Sequence, residues 1–577
     1  MSMFELFYKK NNNSNLFEYL EKNGFSDVQN YIPLYSKFFN LDEKNFNNIN
    51  LNNRYSINSI VEREDNNNFK IKCIDEKTEA IQPFDSFFKF SPLLDPVKFM
   101  VGKYKHIDTD ILCSLPKTMN NTCCKKVLDS NNSAYVDSFF SYLSSKLLNE
   151  NGFIHGSSFY GSFLTIQNEF KLNIYDDLEY LYDSSFFHKN KNVLFLADDV
   201  DEERLLESDT RNYRKKLKLN EIGDDIELNC ENIDNGMFEG MFKLTTENLK
   251  LHDSSLKEEY SIDKECSSSK SSKKTSSTCS SRSSNTNSTD SDRNEDSEDE
   301  DEDESSEELS NSQLSEYSSM NSEEIVNATV YNFPVQVICL EKLENTLDSL
   351  LDDEDNELTD KEWKSCLFQI IMILLTYQKI FNFTHNDLHT NNIMYISTQK
   401  KFINYKYNNV YYRVPTYGKI YKIIDFGRAI YNYKGEIICS DSYHKKGDAA
   451  TQYNCEPYFN HKKPRLEPNK SFDLCRLGCS LFDYFVEDIK DQNKINNPIA
   501  KLIIEWTKDD KDRNILYKNN GEERYPEFKL YKMIVRTVHN HLPEKQLENG
   551  IFFEYTSSKK KIKKQKVINI DNMDILV

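Results

Sequence analysis

No apolar leader opens the sequence: MSMFELFYKKNNN has no hydrophobic core of the secretory kind. The longest apolar run, CLFQIIMILL from Cys366, is too short to span a bilayer and sits in an amphipathic pattern. The thirteen cysteines include no C-x-x-C pair of the kind that holds zinc. Cys475 and Cys479, four apart on an expected helix, read as buried packing thiols. The expectation is a soluble intracellular protein with reduced thiols and no membrane partner. A positive surplus is missing too, since the formal net charge is −21, and direct nucleic acid binding is not expected. Much of that charge is local. Asp290–Glu308 holds thirteen acidic residues against Arg293, a net −12, which leaves −9 elsewhere. Aromatic residues are abundant, 37 Phe and 34 Tyr in 577 residues, enough for a sizeable core despite a mean hydropathy of −0.71.

The chain changes texture along its length. Residues 1–90 are Asn-rich and dotted with aromatics, and their role is not readable. Periodic apolar stretches run from Ser91 to Leu172 and end in FYGSFLTI, which alternates like a strand. Consistency is lost from Asn173 to Asn327, and Ser254 to Ser322 is Ser, Asp, Glu and Lys with few apolar residues, a composition that cannot offset its ordering entropy. This reads as a disordered insertion within a domain, because YNFPVQVICLEKL then resumes as a buried strand. TDKEWKSCLFQIIMILLTYQKIF fits a helix, with Thr359 and Glu362 as a capping box and Trp363, Leu367, Ile370, Ile371, Leu374 and Tyr377 at helical spacing. A second amphipathic helix fits FDLCRLGCSLFDYF, and the tail carries the basic cluster SSKKKIKKQK.

Two motifs, H-N-D-L-H-T-N-N from His385 and I-I-D-F-G from Ile423, each end an apolar element. Together they resemble the protein kinase superfamily, whose pattern is H-R-D-L-x-x-x-N followed by D-F-G. The resemblance implies an ATP- and magnesium-dependent transfer of phosphate. Asn392 and Asp425 would supply oxygen ligands to Mg2+, and Asp387 would orient the acceptor hydroxyl and take its proton. His389 stands where Ser/Thr kinases have a lysine, and Asn386 replaces the preceding arginine. The resulting H-x-D-x-H-x-x-N loop resembles haspin-like protein kinases and also kinase-fold families acting on small molecules, so the loop leaves the substrate class open.

VICLEKLENTLDSLL resembles the strand and hinge beside adenine, with Leu340 as gatekeeper and Glu341 to Leu343 as hinge, although any buried strand followed by a turn reads the same way. Asp473 resembles the helix aspartate that braces the catalytic loop. No G-x-G-x-x-G occurs, and Gly102 is the only glycine shortly before TCCKKVL, which resembles the lysine strand; Lys125, or Lys126, is the candidate for the phosphates. The helix SAYVDSFFSYLSSKLL offers Asp137 as its partner across a compressed interval. Ser397 to Gly418 is unusually long for its place, and no A-P-E follows D-F-G. The run from Ser91 to about Leu547 looks like the serine/threonine kinases of mimivirus-like giant DNA viruses, prompted by NNSAYVDSFFSYLSSKLL, FYGSFLTIQNEF, EPNKSFDLCRLGCSLFDYF and NNGEERYPEFKLYKM. That implies the host cytoplasm or the virion.

The fold expected is α+β, a two-lobed protein-kinase-like fold. Its small lobe spans 91–342, interrupted by an insertion at 173–327, its large lobe 343–547, and a tail 548–577 follows. The function expected is transfer to Ser or Thr hydroxyls of a protein substrate; a small-molecule kinase or a catalytically weak scaffold are the alternatives. Because Asn386 cannot grip a phosphorylated segment, the stretch after Gly427, with Ser440, Ser442 and Thr451, is expected to be held by its own packing, Arg428 being the nearest cation that could replace the arginine.

Overall fold

The computed structural model describes residues 4–10, 13–117, 122–198, 326–353, 357–562 and 565–577. The acidic stretch 254–322 lies outside the described residues. The protein is mixed α and β. In chain order the elements used below are β1 (Phe25–Gln29), β2 (Tyr55–Arg63), β3 (Asn68–Asp75), β4 (Ile81–Pro92), α1 (Ser133–Lys146), β5 (Phe159–Asn173), β6 (Phe195–Ala197), β7 (Asn327–Glu341), α2 (Asp360–Phe381), β8 (Ile393–Ser397), β9 (Phe402–Tyr407), β10 (Val410–Pro415), β11 (Lys419–Ile423), α3 (Phe472–Phe485) and α4 (Phe528–Thr537).

Seven strands form one antiparallel sheet in the order β1-β5-β7-β4-β3-β2, with β6 pairing the start of β7. Strand β7 lies between β5 and β4 and is buried on both faces over Phe333–Cys339, which is why it reads as a continuous apolar run. Strand β3 shows the other pattern: Phe69, Ile71 and Cys73 turn inward while Lys70 and Lys72 face water. The sheet therefore reaches back to Phe25, well before the boundary expected at Ser91. Polar residues on the outward face of β2 and β3 conceal these strands in the sequence.

The insertion also starts later than expected. Strand β5 continues to Asn173, short helices follow at Leu178–Tyr182 and Ser185–Asn190, and β6 closes onto β7. Residues 199–325 thus lie in sequence between β6 and β7, which pair, while β5 pairs with β7 from Asn173 opposite Asn327 to Phe159 opposite Leu340 with one register shift between Phe159 and Gly161.

Helix α1 packs beside the sheet, and all its residues from Ala134 to Lys146 are buried. Its Phe140 stacks on Phe383 at 4.4 Å and meets Phe426 at 4.6 Å and Tyr431 at 4.8 Å. Helix α2 begins at the expected capping box, Thr359 with Glu362. Its six periodic side chains are all buried, each worth roughly 1.5–3 kcal/mol. Among the described residues it is the one helix long and apolar enough to cross a membrane, and it is core, 89% buried within the protein. The long segment after Ser397 is the hairpin β9-β10, whose edges pair with Ile568–Asn569 and Thr556–Ser557 from the tail. In the basic cluster Lys559–Ile562 forms a short helix with Ile562 buried.

Candidate functional site

Helix α2 ends at Phe381 with Asn382 in the left-handed region, φ +50°, and the chain enters the loop His385–Asn392. Asp473, fully buried on α3, accepts the backbone N–H of His385 at 2.9 Å and of Asn386 at 2.8 Å. It thus braces the loop as expected. His385 receives the Asp387 N–H on Nδ1 at 3.3 Å and donates from Nε2 to the Ile424 carbonyl at 2.9 Å. Strands β8 and β11 pair Ile393 with Ile423, and the Ile424 N–H donates to the Asn392 carbonyl at 3.0 Å. The pairing sets the two motifs side by side.

Asn392 commits its amide nitrogen twice, to the Asp387 carbonyl at 2.9 Å and to His389 Nε2 at 3.0 Å. Its Oδ1 accepts no hydrogen bond among the described residues. Burial holds the His389 imidazole at about 4, with Asp387 only partly opposing it, so the ring is neutral at pH 7. Accepting from Asn392 on Nε2 puts its proton on Nδ1, which is buried and has no partner among the described residues.

Asp425 has φ +62°. Lys89 on β4 reaches it, with Nζ 3.0 Å from Asp425 Oδ1 and 2.7 Å from Asp137 Oδ2 on α1. Asp137 Oδ1 in turn accepts the Phe426 N–H at 2.9 Å. Burial opposes the charged form of Asp425, but the Lys89 ammonium outweighs it and holds the carboxyl at about 2. Burial and the nearby Asp425 push the Asp137 carboxyl up, the ammonium partly offsetting them. Gly427 turns closely over this group, since a Cβ there would lie 3.3 Å from Asp425 Oδ1.

Asp387 is 2% exposed. Its Oδ1 accepts the Tyr531 hydroxyl of α4 at 2.8 Å, and Arg428 Nε stands 3.8 Å from Oδ2. Arg476 Nε donates to the same Tyr531 hydroxyl at 3.0 Å. Asn386, at φ +65°, donates to the Arg428 carbonyl at 3.1 Å and accepts the Tyr453 hydroxyl at 2.6 Å. Arg428 pairs with Asp448 at 2.6 Å. The stretch after Gly427 is thus fastened to the loop by neutral hydrogen bonds to Asn386 and by Arg428 beside Asp387, and to itself by the Arg428–Asp448 pair. A cleft of about 1960 Å³ opens here, and Lys89, Asp137, Asp387, Asp425, Gly427 and Arg428 all line it.

No family model matches the chain. A stretch of 218 residues is 27% identical to "Uncharacterized protein 098R" of Invertebrate iridescent virus 6, covering 35% of this chain and 32% of that protein. The chain thus matches about a third of that relative's length.

Asp387, His389, Asn392 and Asp425 are brought together; Lys125 is not. TCCKKVL forms no strand, because Lys125–Leu128 is a helical turn, with Lys125 exposed and Lys126 paired with Asp441. The lysine that reaches Asp425 is Lys89, and the interval to Asp137 is then 48 residues. The strand IQPFDSFFKFSP carried an alternation that could have revealed it. Gly102 has φ +77° and an absent Cβ that would strike the Phe186 ring at 2.5 Å, so it serves packing. Leu340 and Glu341 end β7 and Leu343 follows it; Leu340 stands opposite Phe87, two residues before Lys89, and the Glu341 carboxylate accepts Lys422 Nζ at 2.7 Å and the Ser158 N–H at 2.9 Å. Tyr531 carried no motif.

Proposed function

We propose that the protein is a two-lobed, protein-kinase-like phosphotransferase that moves the γ-phosphoryl group of ATP to Ser or Thr hydroxyls of proteins. The observation that carries this reading is the Lys89 ammonium shared by Asp137 and Asp425 in the cleft that also holds Asp387. The small lobe would be the seven-stranded sheet with α1, and the large lobe the chain from Leu343 onward, with Leu340 to Leu343 between them. Lys89 would bind the α and β phosphates.

The donor set fits magnesium. Asp425 is held ionised, Asn392 has Oδ1 uncommitted among the described residues, and this ion takes one or two carboxylates with the rest from phosphate and water. Among the described residues no group of three His, Cys, Asp or Glu clusters as a metal site, and such an ion needs none. Bound there, magnesium would compensate charge on the β and γ phosphates. Asp387 orients the acceptor hydroxyl and takes its proton. His389, neutral, positions without adding charge.

The turn between β2 and β3 would cover the phosphates without glycine. Asp65 Oδ1 accepts the N–H groups of Asn67 and Asn68, both at 2.8 Å, and Asn67 Nδ2 ties the turn to the Phe88 carbonyl at 2.9 Å, beside Lys89. The iridescent-virus relative supports a viral setting, hence host cytoplasm or virion. Labelled ATP incubated with mixed protein substrates tests the reading: transfer by the parent chain that disappears in Asp425→Ala is expected, and equal labelling by both would sink it.

One observation favours a second reading, a catalytically weak scaffold. The Tyr531 hydroxyl already occupies Asp387 Oδ1, and Oδ2, which accepts no hydrogen bond among the described residues, is buried. If this is a cover that substrate displaces, Tyr531→Phe raises kcat/KM about tenfold, since a hydrogen bond to a charged group is worth roughly 1.5–3 kcal/mol. A variant as inactive as the parent favours the scaffold.

A further inference from the structure

Four of the lysines and arginines lining the cleft are ion-paired among the described residues. Lys89 is shared by Asp137 and Asp425, Lys98 pairs with Asp95, Lys126 with Asp441, and Arg428 with Asp448. Lys445, Lys446 and Lys532 also line it, and none has a carboxylate within ion-pair distance among the described residues. Arg63, Lys103, Lys125 and Lys171 line it without an ion pair as well, but Lys532 and the segment of Lys445 and Lys446 are the group tied to Asp387. Lys532 follows Tyr531, whose hydroxyl touches Asp387. Arg536, one turn along α4, donates to the Lys532 carbonyl at 2.7 Å and the Thr451 carbonyl at 2.9 Å. That second bond ties α4 to the segment bearing Lys445 and Lys446. Lys532 is held below the usual lysine range by burial and then by Arg536 and Lys463, so cations gather there without counter-charge.

Like charges held together raise the free energy of the fold, and an anion relieves it. The nucleotide's phosphates would lie at Lys89 and Asp425, so this second group faces the acceptor. Its spread over a helix and a separate segment suits an extended polyanion better than a single phosphate. Tyr531, the ring that touches Asp387, already stands under Arg428 at 5.8 Å and Arg476 at 5.2 Å and stacks on Phe528 at 5.6 Å, so this ring offers no open face to a nucleic acid base.

We infer that the acceptor side of the cleft takes an acid-rich peptide, a serine or threonine flanked by Asp and Glu, gripped by Lys445, Lys446 and Lys532. The inference rests on the phosphoryl-transfer reading above. The acceptor oxygen bonds to the γ-phosphorus, its proton passes to Asp387, and the bond from that phosphorus to the β-γ bridging oxygen breaks. The products are a phosphopeptide and a nucleoside diphosphate.

The probe is a synthetic peptide, NEDSEDEDEDESSEE, which copies residues 294–308 of this chain, beside a version with every Asp and Glu changed to Asn and Gln. With the full chain, KM for the acidic peptide is expected to be at least tenfold below that for the neutral one and to rise with salt. Lys532→Gln and the double variant Lys445→Gln/Lys446→Gln should each raise KM for the acidic peptide several-fold, and Lys532→Arg should retain the parent value. Equal KM for both peptides overturns the inference and leaves phosphoryl transfer standing. If neither peptide nor protein is labelled, the phosphoryl-transfer reading falls, and fluorescence anisotropy of the labelled peptide still decides. Salt-sensitive binding lost in Lys532→Gln upholds the acidic site. Absence of binding, or displacement by a single-stranded oligonucleotide that binds more tightly, overturns it.

Discussion

At the residue scale the candidate site turns on how few cations serve how many carboxylates. Lys89 alone faces Asp137 and Asp425, so its loss leaves two buried acids in contact with each other's charge. Lys89→Met should therefore lower kcat at least a hundredfold, the scale typical of a lost electrostatic donor, while Lys125→Met lowers it far less; comparable losses in steady-state assays would return the role to Lys125. Protonation sets a second expectation. His155 is fully buried between the Tyr421 carbonyl at 2.7 Å and the Tyr405 hydroxyl at 2.6 Å, and burial lowers its pKa to about 4. The unfolded chain takes up this proton near pH 6.5 and the folded chain only near 4. Stability contributed by the neutral ring is complete above pH 6.5 and falls as pH drops toward 4, by on the order of 3 kcal/mol. Asp425 behaves differently, its contribution being present above about pH 4 and lost only toward 2. The raised Asp137 and Asp473 carboxyls bend the profile the opposite way, so the readout is a difference: between pH 6.5 and 4, calorimetry should show His155→Gln losing less of its melting temperature than the parent.

Among the elements, α1 joins the sheet to the motif segment. Its Phe140 lies at the centre of Phe381, Phe383, Phe426 and Tyr431, and Asp137 sits one turn earlier on the same helix. Phe140→Ala should cost about 3–5 kcal/mol in urea unfolding; a loss under 1 kcal/mol would mean the cluster closes over the gap. The helices were the legible part of this fold, because α2 and α3 carry long apolar periodicity, α2 a capping box besides, and because the loop they support carries a dense motif. The sheet was not. Pro83 argues against a central strand, yet β4 tolerates it, since pairing with β7 begins only at Ser86, and the N–H that Pro83 lacks faces no second neighbour. TCCKKVL misled for the converse reason: β-branched and sulfur side chains suggest a strand, but Val127 buries from a helical turn and both cysteines from the residues just before it. Asp387 and Asp425 were found from their neighbours in sequence, whereas Lys89 and Tyr531 join them only through pairing of distant elements, for which no local pattern exists.

Over the whole molecule, the covalent path and the structural path part company between β5 and β7. These strands pair from Asn173 and Asn327 to Phe159 and Leu340, although 199–325 stand between Asp198 and Val326 in the sequence. Loop-closure entropy grows only with the logarithm of length, about 0.6 kcal/mol per doubling, so shortening this excursion by removing 254–322 should leave a single cooperative thermal transition; a transition that becomes broad or vanishes would make the tract structural. The same geometry says something about continuity. Residues 1–198 carry Lys89 and Asp137, residues 326–577 carry Asp387 and Asp425, and the seam between them joins a ladder of backbone hydrogen bonds to the Phe140 cluster. Produced as two separate polypeptides, the halves should each be inert and regain function on mixing, which would make this chain a ready-made split reporter whose output is the reunion of its own strands.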